Sequence, residues 1–156
     1  MNETDAIQRF KVVAAEIGLD PTIQRFSKGT RTAEDAASSV GCRVDQIVKS
    51  LVLVADVGAV MVLCSGVNRV DTAKVGAEFG GEARMANANE VREITGFAIG
   101  GTPPFVNHSD LVTLLDPWLL EFQEVWAAAG TPDSVFAISP DVLVAATNAR
   151  IIQITQ

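Results

Sequence analysis

Residues 44–64 read VDQIVKSLVLVADVGAVMVLC and form the most apolar part of the chain. The segment from Val44 to Ala55 is rich in β-branched residues and predicts a central strand. Gly58 indicates a turn, and the segment from Val60 to Cys64 predicts a second strand that pairs with the first as a hairpin. This hairpin is the expected centre of a β-sheet.

Helix signals occur on both sides of the hairpin. Apolar residues recur at helical spacing from Thr4 to Ile17, and Gly18 provides a C-terminal stop. Capping side chains predict further helix starts at Thr32, Asp71, Asn87, Asp116 and Ser139. Other strand-like segments are Thr22 to Phe26, Val125 to Ala128, Val135 to Ile138 and Arg150 to Thr155. Short strands and helices in this order predict a single α/β (α+β) domain over residues 1–156, with a mixed sheet.

Length and composition are those of a globular protein without a membrane span. The chain has 156 residues, of which 48% are hydrophobic and 20% charged. Its apolar runs are much shorter than the roughly 20 residues that a transmembrane helix needs. The N-terminal residues are polar and acidic, unlike a secretory signal. We therefore expect a cytoplasmic protein that is a monomer or a weak homo-oligomer and does not bind a membrane.

Charge and motifs exclude several function classes. The net charge of −7 argues against a broad nucleic-acid surface but leaves room for a local basic pocket. The two cysteines, Cys42 and Cys64, lack CxxC spacing, and His108 is the one histidine. No GxGxxG or GxxxxGK[ST] motif is present. We expect neither a metal nor a cofactor.

The segment Gly100-Gly101-Thr102-Pro103-Pro104 is the first candidate for a functional loop. Glycines allow a ligand to approach the main chain closely, and prolines stiffen the path of the chain. Such a loop can present backbone groups to a water molecule or a polar ligand. A tight, buried turn between a helix and a strand explains the same residues equally well.

Lys49 is the second candidate, because it interrupts an otherwise apolar strand. Alternation along a strand places it on a solvent face, and periodicity alone favours that interpretation. The functional alternative is a cation at the mouth of a pocket, directed at a phosphate or a carboxylate.

The order of several short motifs resembles the YbaK/EbsC family, the free-standing relatives of the prolyl-tRNA synthetase editing insertion. These motifs are residues 45–51 (DQIVKSL), 69–71 (RVD), 95–96 (TG), 100–105 (GGTPPF) and 115–116 (LD). The resemblance extends from about Phe26 to Ala146. It implies a mixed sheet, partly closed like a barrel and flanked by helices. It also implies hydrolysis of the ester between a wrong amino acid and tRNA, typically tRNA for proline.

The same resemblance implies roles for individual residues. Lys49 would contact the 3′-terminal nucleotide of the tRNA. The backbone of Gly100 and Gly101 would position the substrate or the attacking water, with assistance from the 2′-hydroxyl of the terminal ribose. Further substrate contacts are expected from Phe26, Ser50, Arg69, Thr102, Pro103 and His108. The implied partners are the 3′ end of aminoacyl-tRNA and an aminoacyl-tRNA synthetase.

Four positions depart from the family pattern, one of which is Val106 in place of the glycine that often follows Pro-Pro-Phe. Phe26 occupies a position where some members have Tyr, and Ala128 and Val135 align with a Ser and an Asp of some deacylases. These departures make the cavity less polar and leave its amino-acid preference open. The alternative function is an inactive binding module for the tRNA end, a synthetase or an aminoacyl nucleotide.

Overall fold

The computed structural model describes residues 3–26, 32–106 and 111–156, and side chains from residue 5 onward. The helices in these ranges are α1 (Glu3–Glu16), α2 (Ala33–Val40), α3 (Thr72–Glu78), α4 (Ala88–Thr95) and α5 (Pro140–Thr147). The strands are β1 (Ile23–Arg25), β2 (Val48–Ala55), β3 (Gly58–Ser65), β4 (Ala83–Met85), β5 (Val112–Leu115), β6 (Val125–Ala128), β7 (Ser134–Ile138) and β8 (Arg150–Ile151). None of these helices is long and apolar enough to cross a membrane.

The strands form two sheets that are not closed into a barrel. The larger sheet has the order β4-β2-β3-β5-β8, with β2 antiparallel to β3 and β4, and with β5 parallel to β3 and β8. The smaller sheet has the antiparallel order β1-β7-β6. An isolated parallel bridge joins Ile47 to Trp126, so the two sheets approach each other at the start of β2. The predicted mixed α+β architecture is confirmed.

The β2–β3 hairpin is buried on both faces. Val48 and Val52 belong to the main hydrophobic cluster, which also contains Phe10 of α1. Leu53 and Ala55 belong to a second cluster on the opposite face. Strands that are covered on both faces have nearly continuous apolar sequences. This explains why apolar and polar residues do not alternate clearly in the hairpin.

Three phenylalanines connect the candidate loop to this main cluster. The ring centroid of Phe105 lies 5.6 Å from that of Phe10 and 5.9 Å from that of Phe136. Phe10 and Phe136 are themselves 4.8 Å apart. Fully burying a phenylalanine contributes about 1.5–3 kcal/mol. The end of the 100–105 segment is therefore fixed to the core.

The predicted helix caps form as expected. Thr32 Oγ1 accepts a hydrogen bond from Asp35 N–H at 3.1 Å. Asn87 and Glu90 form a capping box, with reciprocal hydrogen bonds of 2.9 and 3.0 Å. Two hydrogen bonds from Arg84, each of 2.8 Å, together with Asn87 N–H lower the pKa of Glu90 to about 2. Asp71 and Ser139 also cap helices α3 and α5.

The structure corrects several predicted boundaries. Val44–Gln46 forms a short 3₁₀ helix before β2, and Asp116 caps a 3₁₀ helix, Pro117–Glu121, instead of an α-helix. The last strand ends at Ile151, although Thr155 forms an isolated bridge further along. Strands β4 and β5 were not predicted.

Candidate functional site

A cavity of about 350 Å³ lies where the start of β2 approaches β6. Its walls come from β2, β6, β7, the start of α2, the β6–β7 turn and the turn that follows α4. The volume is at the lower end of the range typical of small-molecule sites. Lys49 is the one titratable side chain among the described residues that line it.

Lys49 is half-buried and held by a neighbouring loop. Its Nζ donates a hydrogen bond to the backbone carbonyl of Asn68 at 2.6 Å. Asn68 Nδ2 in turn donates to the carboxylate of Asp116 at 2.8 Å. An ammonium group has three donors, and Lys49 uses one of them within the described residues. The other two donors have no partner within the described residues.

The Asp116 carboxylate organises the loop that holds Lys49. It is 1% exposed and accepts hydrogen bonds from Ser65 N–H (3.1 Å), Trp118 N–H (3.0 Å) and the Asn68 amide. Buried charges are stabilised by such multiple donors. The ammonium of Lys49 is thus positioned indirectly by a carboxylate that does not line the cavity.

Ser50 provides a polar atom without a partner. Its Oγ is buried and lacks a hydrogen bond within the described part of the chain, and the residue lines the cavity. Leaving a buried hydroxyl unsatisfied costs about 1–3 kcal/mol. A ligand atom or a water molecule in the cavity would remove this cost.

The turn after α4 presents backbone atoms to the cavity. Gly100 is exposed, has φ +83° and lines the cavity. Gly101 N–H donates to the carbonyl of Ala98 at 3.0 Å, and Thr102 Oγ1 donates to the same carbonyl at 3.1 Å. A Cβ at Gly101 would lie 2.7 Å from the Cα of Thr131, so only glycine fits there. This close approach holds the turn against the β6–β7 connection.

Strands β6 and β7 supply an apolar wall. Ala128 and Val135 are directly paired across the two strands, and both line the cavity. The hydroxyl of the neighbouring Ser134 is buried and lies 2.7 Å from Thr131 Oγ1. The wall therefore offers methyl groups to a ligand, while its nearest polar side chain is already hydrogen-bonded.

The predicted site residues divide into those that line the cavity and those that do not. The lining residues are Lys49, Ser50, Gly100 and Thr102. Gly101 and Pro103 are buried without lining the cavity. Two further predicted residues, Phe26 and Arg69, do not line the cavity. Phe26 is half-buried and donates its N–H to the Asp133 carbonyl at 3.0 Å. Arg69 is exposed on the loop after β3. His108 lies outside the described residues.

The sequence did not identify the contribution of α2. Thr32, Ala33 and Ala36 line the cavity beside Trp126, which is partly buried. These contacts depend on how the two sheets approach each other, and no local motif encodes that. Trp118, on the 3₁₀ helix that Asp116 caps, is 46% exposed.

Cys64 should be unreactive in the native protein. It lies opposite Lys49 on β3 and is 0% exposed, and burial raises the pKa of its thiol to about 11. Because the thiolate is the nucleophile, alkylation at pH 8 is expected to modify Cys42 first and Cys64 only after denaturation. Burial also raises the pKa of Cys42, so Cys42 should react more slowly than a free thiol.

Mass spectrometry of peptides from iodoacetamide-treated protein measures these rates. The Cys42→Ser variant is the control and should incorporate almost no label without denaturant. Equal labelling of the two cysteines in the native protein would contradict the buried position of Cys64.

Comparison with known proteins extends these observations. Residues 27–146 match the aminoacyl-tRNA editing domain family. The uncharacterised protein YwhH of Bacillus subtilis is 34% identical over 122 residues, which are 78% of each chain. A crystal structure described as a proposed trans-editing enzyme for prolyl-tRNA synthetase is 42% identical, with a TM-score of 0.92 over 97% of both chains. A scaffold structure from epitope grafting by computational design is 38% identical, with the same TM-score and coverage.

Proposed function

Since the chain belongs to the aminoacyl-tRNA editing domain family, we propose that it is a trans-editing deacylase that hydrolyses mischarged aminoacyl-tRNA. The observation that carries this proposal is the cavity in which Lys49 and the exposed backbone of Gly100 line the same space. The similarity to a protein described as acting for prolyl-tRNA synthetase favours tRNA for proline as the carrier.

Lys49 binds the 3′-terminal nucleotide in this proposal. Its ammonium is held by the bond to Asn68, and its two other donors would bind the substrate. A charge-assisted hydrogen bond to a phosphate is about twice as strong as a neutral one. Because the whole chain has a net charge of −7, attraction of the tRNA is confined to such local cations. A partner synthetase would hold the body of the tRNA.

The chemistry depends on placement of water and substrate. Water attacks the carbonyl carbon of the ester, the bond to the ribose oxygen breaks, and the amino acid leaves as a carboxylic acid that ionises. The ribose oxygen takes up the proton lost by the water. No carboxylate or imidazole of the described residues lines the cavity. The family resemblance implies that the neighbouring 2′-hydroxyl of the substrate relays this proton. The backbone of Gly100 positions the reacting groups, and the buried Gly101 holds Gly100 in place through its packing on Thr131. Such positioning is an effective means of catalysis for an activated ester.

The apolar wall selects the amino acid. Ala128 and Val135 leave space for a small side chain and offer it no charged partner. The Ser50 hydroxyl and Thr102 lie in the same cavity and can bind the polar atoms of the aminoacyl group. A small, uncharged amino acid that has been wrongly attached is the substrate that fits this lining.

Release of amino acid from a panel of mischarged tRNAs tests the proposal. We expect the wild-type protein to deacylate at least one tRNA carrying a small, wrong amino acid, and to spare correctly charged prolyl-tRNA. The assay measures acid-precipitable radiolabelled aminoacyl-tRNA against time, with a buffer blank for spontaneous hydrolysis. Rates equal to the blank for every member of the panel would refute the deacylase.

A binding module without catalysis is the second candidate. It is favoured by Ala128 and Val135, because these positions provide no side chain that could act as an acid or a base. Tight binding of a nonhydrolysable aminoacyl-adenosine, together with no turnover of any mischarged tRNA, would establish this alternative.

A further inference from the structure

A second groove shares the loop that holds Lys49. It has a volume of about 300 Å³ and is lined by Asn68, the 3₁₀ helix Pro117–Glu121 and residues from 153 to 156. The backbone carbonyl of Asn68 binds Lys49 at 2.6 Å, whereas its side chain is bound to Asp116 in the wall of this groove. We propose that the groove binds an unpaired nucleobase that precedes the terminal nucleotide of the tRNA.

Trp118 provides a fixed aromatic surface in the groove. It is 46% exposed, yet its Nε1 donates to the buried carboxylate of Asp45 at 3.3 Å. Its backbone N–H is bound to Asp116, and the ring of Phe122 packs edge-on at 6.5 Å. Base stacking on an aromatic side chain is the general means by which proteins hold single-stranded nucleic acid. A ring that is already held in place loses little conformational entropy when a base stacks on it.

The remaining lining suits the edge of a base better than a phosphate. Asn68, Gln153 and Gln156 offer amide donors and acceptors. Glu121 adds a carboxylate, which accepts a hydrogen bond from the exocyclic amine of cytosine and repels a phosphate. The groove is therefore suited to a neutral, hydrogen-bonding ligand.

Cations lie beside the groove, where the phosphates of such a ligand would be. The exposed Arg69 is in the same loop as Asn68, and its carbonyl accepts from Gln156 N–H at 2.9 Å. Lys74 Nζ is bound to the Thr155 carbonyl at 2.6 Å. Lys49 is a third cation, bound to the Asn68 carbonyl of the same loop. A base in the groove with phosphates at its rim is the arrangement of single-stranded RNA.

Fluorescence anisotropy of a labelled CCA trinucleotide tests the groove directly. We expect Trp118→Ala to weaken binding between about fivefold and a hundredfold, the range that corresponds to loss of one stacked base. Trp118→Phe keeps an aromatic ring and should restore most of the affinity. Leu120→Ala changes a neighbouring exposed residue of the same 3₁₀ helix and should bind as the wild type does. Unchanged binding by Trp118→Ala, or no binding by the wild type, would overturn the proposal.

Kinetics separate this inference from the proposed function on which it rests. Trp118→Ala should raise KM for aminoacyl-tRNA without changing kcat, and should hydrolyse aminoacyl-adenosine as the wild type does. A general loss of folding would lower both activities together. Trinucleotide binding that depends on Trp118, without hydrolysis of any substrate, would refute the deacylase and retain the groove. Hydrolysis with no effect of Trp118→Ala on KM or binding would refute the groove alone.

Discussion

Replacing Lys49 by alanine is expected to lower kcat/KM for mischarged tRNA between about tenfold and a hundredfold. The substitution removes a half-buried ammonium that has one partner, Asn68, within the described residues. Hydrogen bonds to charged groups contribute about 1.5–3 kcal/mol, which corresponds to this range of rates. The salt dependence of binding should also become weaker by about one counterion, because one phosphate contact is lost.

Lys11→Ala is the matched control for this substitution. Lys11 is an exposed lysine on α1 that does not line the cavity, and its loss makes the same change in net charge. Deacylation rates should be measured for both variants over a range of salt concentrations. If the two variants behaved alike, Lys49 would act only through the net charge of the protein, and its placement in the cavity would have no catalytic consequence.

Local capping chemistry explains why the helices could be predicted from the sequence. The side chains of Thr32, Asp71, Asn87 and Ser139 each bind a backbone N–H in the first turn of their own helix. Such contacts involve residues two or three positions apart, so the sequence contains them directly. The β2–β3 hairpin has the same local character, because a short turn joins the paired strands.

Strands β4 and β5 depend on distant pairing and were missed for that reason. The three residues of β4 pair with the end of β2, and β5 pairs in parallel with β3. Parallel pairing needs a long connection, and here that connection contains α3, β4 and α4. Neither short strand has a turn signal that identifies its partner.

In the candidate site, too, the sequence reveals features that depend on neighbouring residues and misses those that depend on contacts between distant ones. The sequence singled out Lys49 and Gly100 because a cation in an apolar strand and a paired glycine are unusual locally. That these two residues line one cavity depends on the tertiary fold, and so does the pairing of Ala128 with Val135 in the cavity wall. The bond from Lys49 to Asn68 depends on the loop after β3, whose position is fixed by the distant Asp116.

Gly101→Ala should destabilise the protein and reduce the proposed deacylase activity together. The new Cβ would lie 2.7 Å from Thr131 Cα and 2.9 Å from Thr131 C, which are backbone atoms that cannot rotate away. Overpacking of this kind costs about 1–3 kcal/mol. The turn must move away from the β6–β7 connection to relieve it, and this displaces Gly100 from the cavity. We expect a lower free energy of unfolding in urea and at least about a tenfold loss of kcat.

Gly18→Ala distinguishes this packing effect from the general cost of replacing a glycine. Gly18 has φ +80°, and a Cβ there would meet open space, so only backbone strain of about 1–2 kcal/mol is added. The residue follows α1 and does not line the cavity, and kcat should therefore be retained while stability falls. Measurement of kcat at a temperature where both variants are folded separates the two effects. Full activity of Gly101→Ala under these conditions would show that the close contact with Thr131 is not what places Gly100 beside the substrate.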